Sequence, residues 1–193
     1  MAKNLRLGLI AGLGNPGESY ARTRHNAGFW LVDRIAEMNS VSFRVEARFN
    51  AQVCRVEING CAVWLLKPET FMNDSGPSVA SCASYYRLSA AQTLVAHDEL
   101  ALECGNIHFK IGGGHGGHNG LRDIMSHFES GFVRARIGIG HPGLGRDVAR
   151  YVLNVAPAAE NRLIEEALSR ALDQIEMIVA GDLKSAINGS GRP

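Results

Sequence analysis

Leu5 to Gly14 is a near-continuous apolar run of strand length, and it constrains the fold more than any other stretch of the chain. A strand apolar on both faces must be covered on both faces, which in soluble proteins means a largely parallel sheet with helices above and below. The rest of the pattern agrees. An apolar stripe of Leu31, Ile35 and Met38, helped by Val32, predicts a helix from about Ala27 to Met38. Asn50 to Ile58 and Cys61 to Lys67 read as strands around Asn59-Gly60, the strongest short hairpin signal. Further strands are expected at Thr93 to Ala96, Ile107 to Ile111 and Val133 to Ile139. Further helices are expected up to about Leu88, from Asn119, over Asp147 to Leu153, and over Ala159 to Ala180. Alternating strands and helices with one inserted hairpin predict an α/β fold: a single domain with a central twisted mixed, mostly parallel β-sheet flanked by helices. It would span residues 1–188, with 189–193 a disordered tail by composition.

Composition narrows the function classes. With 193 residues, 46% of them hydrophobic, the chain can bury one good core, and a second domain is not expected. A net charge of +1 demands no nucleic-acid partner, so only a local basic patch can argue for one. Cys54, Cys61, Cys82 and Cys104 lack CxxC spacing and read as free thiols in a reducing compartment. The glycine-broken N-terminal run suits neither a signal peptide nor a membrane span, so a cytoplasmic protein without membrane contact is expected.

The first strand ends in Gly12-Leu13-Gly14-Asn15-Pro16-Gly17, a literal match to the dinucleotide fingerprint G-x-G-x-x-G. Pro16 removes an N–H where a phosphate cradle needs one, and no acidic residue closes a second strand about twenty positions on. The turn reads better as a carrier for Asn15 at a strand's C-terminal end, where open α/β sheets place ligand contacts.

Between Lys110 and Arg122, six of thirteen residues are glycine, interleaved with His115, His118 and Asn119. Glycine supplies positive φ and lets another molecule approach the backbone. A flexible hinge is the more common meaning of such a loop, but a hinge leaves its side chains unexplained. A helix start with Asn119 at or near the N-cap follows, which together with Lys110 makes a natural anion site.

Asn15, His25, Asn73, His97, Asp98, His118 and Asn119 all fall just after strands or in loops before helices, so one crevice can collect them. Imidazole is the side chain best poised as a general base near neutral pH, and a carboxylate on its second nitrogen fixes the tautomer. Asp98 is the partner expected for His25. No serine or cysteine stands in a nucleophile elbow, so water would be the nucleophile. The asparagines suit a neutral ester or amide, since each carboxamide offers both donors and an acceptor, and one of them could donate to a developing oxyanion. A metal is the obvious competitor, since His115-x-x-His118 is close to Asp98 in this picture. Its spacing of three within a glycine loop differs from the helical zinc pattern of four, so no metal and no cofactor are expected. From Gly105 to Tyr151, six basic residues face three acidic ones. Arg134 and Arg136, alternating on one strand, could grip phosphates.

Six segments, Gly-Leu-Gly-Asn15-Pro-Gly, Thr-Arg-His25-Asn, Thr-Phe-Met72-Asn73, Ala-His-Asp98-Glu-Leu, Lys-Ile-Gly-Gly-Gly-His-Gly-Gly-His118-Asn119-Gly and Arg-Ile-Gly-Ile-Gly-His-Pro-Gly143, resemble in this order the bacterial-type peptidyl-tRNA hydrolases. The resemblance runs from about Leu5 to Asn188. It implies a monomeric, metal-free enzyme that hydrolyses the ester between a peptide and the 3′ ribose of tRNA, so that peptidyl-tRNA is the partner. It implies His25 as the base activating water and Asp98 as the group keeping it basic. Asn15, Asn73 and Asn119 would position the peptide end and the scissile group, with Asn15 expected on this reading to accept from the substrate's peptide N–H through its carboxamide oxygen. Tyr20 and Phe71 match substrate-contacting positions, Met72 would line the cleft, and His118 is counted with them. Lys110 and Arg136 would face tRNA phosphates. Two other classes compete: a non-catalytic RNA-binding module, and a metal-dependent esterase or amidase for small molecules.

Overall fold

The apolar runs assemble into one seven-stranded sheet of order β2-β3-β4-β1-β5-β7-β6 in a computed structural model that describes residues 6–189. Its strands are β1 (Leu9–Gly12), β2 (Arg44–Glu46), β3 (Ala51–Ile58), β4 (Cys61–Pro68), β5 (Thr93–Glu99), β6 (Ile107–Ile111) and β7 (Val133–Gly138). The four central strands β4, β1, β5 and β7 run parallel, and β2, β3 and β6 join antiparallel at the flanks. β1, the run that is apolar on both faces, lies in the middle and is wholly buried. The Asn59-Gly60 turn closes the β3–β4 hairpin with both residues at positive φ, as a two-residue hairpin loop requires.

Helices α1 (Ala27–Met38), α2 (Gly76–Tyr85), α3 (Asn119–His127), α4 (Val148–Val152), α5 (Ala158–Val179) and α6 (Leu183–Gly189) complete the chain. Two buried clusters occupy the two sheet faces. One joins α1 and α5 through Leu31, Ile35, Ile164, Leu168 and Ile175. The other joins α2 and α3 through Val79, Cys82, Leu121 and Ile124. Cys54, Cys61, Cys82 and Cys104 are all free. Burial pushes the Cys54 and Cys82 thiols up to about 11 and about 12, so both act as protonated packing groups. Among the described residues, no helix is long and apolar enough to cross a membrane.

Several local expectations are revised. β5 continues three residues past Ala96, so that His97, Asp98 and Glu99 belong to the strand itself. At α2 no side chain of the local N-terminus makes the cap. Ser75 Oγ donates to the Met72 carbonyl, and Asp123 of α3 accepts from Gly76 N at 2.6 Å. His118, not Asn119, caps α3, its side chain accepting from Leu121 N. The helix at Leu183–Gly189 lacks a signal strong enough to predict it, and it takes Gly189 from the expected tail; positions 190–193 lie outside the described residues.

Glycine sets how closely α1 lies on the sheet. A Cβ on Gly28 would sit 2.3 Å from the Ala96 carbonyl oxygen, and one on Gly12 would sit 2.4 Å from Gly28 O. Only backbone against backbone fits there, and it brings the start of α1 directly onto the end of β1 and the middle of β5.

Candidate active site

The parallel strands and the helix starts that follow them converge on a cavity of about 460 Å³. Asn15, Tyr20, His25, Phe71, Met72, Asn73, Asp98, His118 and Asn119 all line it, as do His97, Glu99, Leu100 and His115. Every residue expected at the reaction centre or the substrate is therefore at one place. Lys110 and Arg136 lie outside the cavity lining, on β6 and β7.

Asp98, delivered by β5, is the hub. It is buried, and its Oδ1 accepts from His25 Nδ1 at 2.9 Å and from His118 Nε2 at 2.8 Å, while Oδ2 lies 3.0 Å from His25 Nδ1. Burial alone would raise its pKa. The two imidazoles, by charge and by N–H donation, more than offset this and hold the carboxyl well below the usual carboxylate range. The tautomers follow from the bonding. Nδ1 of His118 accepts from Leu121 N at 3.3 Å, so its proton sits on Nε2, facing Asp98. His25 commits Nδ1–H to Asp98, and its Nε2 has no hydrogen-bond partner among the described residues. That lone pair is left for the cavity His25 lines.

His97 lies behind this group, fully buried. Its Nδ1 donates to the Asp98 carbonyl at 2.7 Å, and its Nε2 has no partner among the described residues. Its ring meets His118 edge-on, with centroids 5.1 Å apart. Burial first, then the neighbouring His118, pull its pKa from 6.5 down to about 3. The unfolded chain binds a proton here near the ordinary value and the folded chain only near the lowered one. Between the two values the unfolded state holds more protons, so stability falls as pH falls through that window. Asp98, with its depressed pKa, adds a loss of the same sign further down, below its unfolded value. His97→Gln is expected to flatten the dependence of urea-unfolding stability on pH across the His97 window, by up to about 1.4 kcal/mol per pH unit. An unchanged slope would show that the folded protein carries this ring protonated.

The asparagines are polarised by their neighbours. Asn15 is clasped by Asn26, whose Oδ1 accepts from Asn15 N at 2.8 Å and whose Nδ2 donates to Asn15 O at 2.9 Å. Asn15 Oδ1 accepts from Met72 N at 2.8 Å. The carboxamide oxygen expected to meet a substrate N–H is thus already engaged, and the end left for the cavity is the Nδ2 donor. Asn119 repeats this, its Oδ1 accepting from Arg122 Nη1 at 3.1 Å. Asn73 is the reverse: Nδ2 donates to Asp74 Oδ2 at 3.3 Å and Oδ1 stays open. Two donors and one acceptor therefore face one chamber. Tyr20 and Phe71 stand edge to face at its rim with centroids 6.1 Å apart; Phe71 is exposed and Met72 buried beneath it.

Other expectations divide. His25, Asp98 and His118 are close enough to be weighed as metal ligands, but His118 turns a protonated nitrogen toward Asp98. His115 is not part of that group; its Nδ1 accepts from Gly117 N. The glycine loop needs its glycines, since Gly112, Gly113, Gly116 and Gly117 all have positive φ. Arg134 is not a surface grip. It is buried and donates from Nη1 to Gly114 O at 2.8 Å, supporting the loop from below. Arg136 donates from Nε to Glu99 Oε2 at 2.9 Å, so it is partly engaged within the protein.

Sequence reasoning leaves three contributors without a role: Asn26, Arg24, and the wall formed by Val148, Ala149, Val152 and Leu153 of the α4 region. Asn26 carries no sequence signal beyond adjacency to His25. The i, i+4 pair Val148 and Val152 is a visible one, too short to interpret alone.

The family model for peptidyl-tRNA hydrolase matches residues 9–192. The peptidyl-tRNA hydrolase of Acinetobacter baylyi is 47% identical over 183 residues, covering 95% of each chain. That of Neisseria gonorrhoeae is 46% identical over 179 residues, covering 92% of this chain and 93% of its own. The crystal structure of peptidyl-tRNA hydrolase from Acinetobacter baumannii matches with a TM-score of 0.92 at 46% identity, over 94% of this chain and 93% of that one.

Proposed function

The chain belongs to the peptidyl-tRNA hydrolase family, and from that premise we propose how its cavity performs the hydrolysis of peptidyl-tRNA. The observation that carries the reading is the commitment of His25 Nδ1–H to Asp98, which leaves Nε2 unprotonated at the cavity. His25 Nε2 takes a proton from water as the oxygen attacks the carbonyl carbon of the ester. Asp98, held as a carboxylate, stabilises the imidazolium that forms. The tetrahedral intermediate places negative charge on the former carbonyl oxygen, and the Nδ2 groups of Asn15 and Asn119 are the donors available to it. Collapse breaks the bond to the 3′ ribose oxygen, which takes the proton back from His25. Peptide and tRNA leave as carboxylic acid and alcohol, and the acid then ionises to bulk water.

The open Oδ1 of Asn73 is the acceptor suited to the N–H of the peptide bond that distinguishes peptidyl-tRNA from aminoacyl-tRNA. A free ammonium nearby would be disfavoured by the Nδ2 donors of Asn15 and Asn119, neutral amides that present the positive ends of their dipoles. Tyr20, Phe71 and Met72 supply the apolar side of the peptide site, and His118 acts on the substrate through Asp98 as well as from the cavity wall. The site is complete within one chain and one sheet, which supports a single catalytic domain over 1–188 working as a monomer. Free cysteines and a tRNA substrate support a cytoplasmic setting. The proton relayed from water to the ribose oxygen is moved by His25, and this sequence of steps uses no metal or cofactor. Hydrolysis of N-acetyl-aminoacyl-tRNA is expected to be undiminished by a chelator, and loss of activity restored by a divalent ion would favour the metal-dependent alternative.

Phosphate contacts are assigned to Lys110, which is exposed and unpaired among the described residues, and secondarily to Arg136. Lys110→Ala is expected to weaken tRNA binding and to lower the salt slope of log K by about 1, while sparing a minimal ester that lacks the tRNA body. Arg136→Ala should show the smaller effect, because its Nε already serves Glu99. Equal losses on full and minimal substrates would remove both residues from the phosphate surface.

A further inference from the structure

Arg24 precedes His25 but does not line the cavity. It is buried and reaches the C-terminal end of α4. Nη1 donates to the carbonyls of Tyr151, Asn154 and Val155 at 3.3, 3.3 and 3.4 Å. Nη2 pairs with Glu160 at 2.9 Å, and the guanidinium lies 4.1 Å over the Tyr151 ring. The backbones are joined as well: Arg24 N donates to Asn154 O at 3.2 Å, and Thr23 bridges Val155. One of these carbonyls, that of Tyr151, is in the last turn of α4 and two follow it, so the cation sits at the negative end of the helix dipole and anchors the chain as it leaves the helix. At five residues, α4 is too short to hold its place by its own hydrogen bonds. Yet Val148, Ala149, Val152 and Leu153 form one wall of the cavity. The Arg24 guanidinium, together with these backbone bonds, thus ties that apolar wall to the segment carrying the base.

We propose that Arg24 is a positioning residue for peptidyl-tRNA hydrolysis. It holds α4 at a fixed separation from His25, and so sets how tightly apolar side chains of the peptide are held rather than how fast the ester is cleaved. The proposal rests on reading the cavity as the peptidyl-tRNA site, and its test separates the two. Arg24→Gln, Arg24→Lys and Glu160→Gln are compared with the unaltered protein, first by hydrogen exchange without substrate. They are then compared by kcat and KM on N-acetyl-aminoacyl-tRNAs bearing leucine or glycine. In Arg24→Gln, α4 amides are expected to exchange about tenfold faster while β1 and β5 amides are unchanged. KM for the leucyl ester should rise about tenfold with kcat within about twofold, and KM for the glycyl ester should rise less. Arg24→Lys and Glu160→Gln should move both readouts in the same direction by smaller amounts, and they carry the test if Arg24→Gln fails to fold. The proposal is overturned if α4 exchange is unchanged in every folded variant, if exchange accelerates uniformly across the sheet, or if kcat falls as far as kcat/KM. Absence of hydrolysis by the unaltered protein would instead sink the functional reading and leave the exchange result standing.

Discussion

His25→Ala is expected to lower kcat on N-acetyl-aminoacyl-tRNA by about 10²–10⁴-fold, the usual worth of a positioned general base. KM should change little, since the Nε2 lone pair is used on water and the asparagines and apolar walls that hold the substrate are untouched. The fold should persist as well. His25 contributes one hydrogen-bonded contact, to Asp98, and Asp98 keeps its bond from His118. Single-turnover hydrolysis and a thermal melt on the same preparation check both parts. Near-normal turnover in a folded His25→Ala protein would transfer the base role elsewhere in the cavity. His118 is poorly placed to take it, because both of its nitrogens are engaged by Asp98 and Leu121.

Asp98→Asn should cost a similar factor, about 10²–10⁴ in kcat, by a different route. An asparagine can keep an oxygen at the Oδ1 position and still accept from both imidazoles. The Oδ2 position, 3.0 Å from His25 Nδ1, would then carry an NH2 group facing an N–H. The conflict is relieved when His25 moves its proton to Nε2 and accepts at Nδ1, which removes the lone pair that water needs. The inactive form is therefore a tautomer rather than an unfolded or empty site. Imidazole nitrogen shifts, read by NMR, would show Nε2 protonated in Asp98→Asn and Nδ1 protonated in the unaltered protein. A variant with the original tautomer and full activity would show that the carboxylate is dispensable. The same substitution should relieve part of the acid lability, since an amide has no proton to take up where the Asp98 carboxylate does.

Much of this is legible in the residues. The doubly apolar β1, the Asn59-Gly60 hairpin and the α1 stripe each follow from periodicity and turn chemistry and stand where expected, except that Met38 at the end of the stripe is exposed while Leu31, Val32 and Ile35 are buried. The pairing of His25 with Asp98 is also legible, because one precedes a helix and the other lies at the end of a strand, and those ends meet in one crevice. What the chain order does not disclose is which end of an amide is spent. Local chemistry offers the Asn15 oxygen as the acceptor for substrate, and Met72, 57 residues away, takes that oxygen. Arg134 and Arg136 alternate identically along β7, yet one is buried under the glycine loop and the other pairs with Glu99. Strand alternation gives the face of a side chain, but not whether a distant loop covers it. The cap of α3 differs from expectation, and that of α2 escapes local rules, for a related reason. Local rules rank nearby residues, whereas Asp123 caps across two packed helices.

The seating of Gly28 on Ala96 O has a mechanical meaning for the reaction. The base lies three residues before that seat and its carboxylate two residues after Ala96, so both are measured from one shared datum. Few bond rotations intervene, and little error can accumulate between them. Shifts in the outer strands or in α5 would carry the pair along as a unit, leaving its internal spacing as it was. The working tolerance of the centre is therefore decided by the thickness of two peptide planes in contact, a dimension that side-chain changes elsewhere in the core cannot rescale.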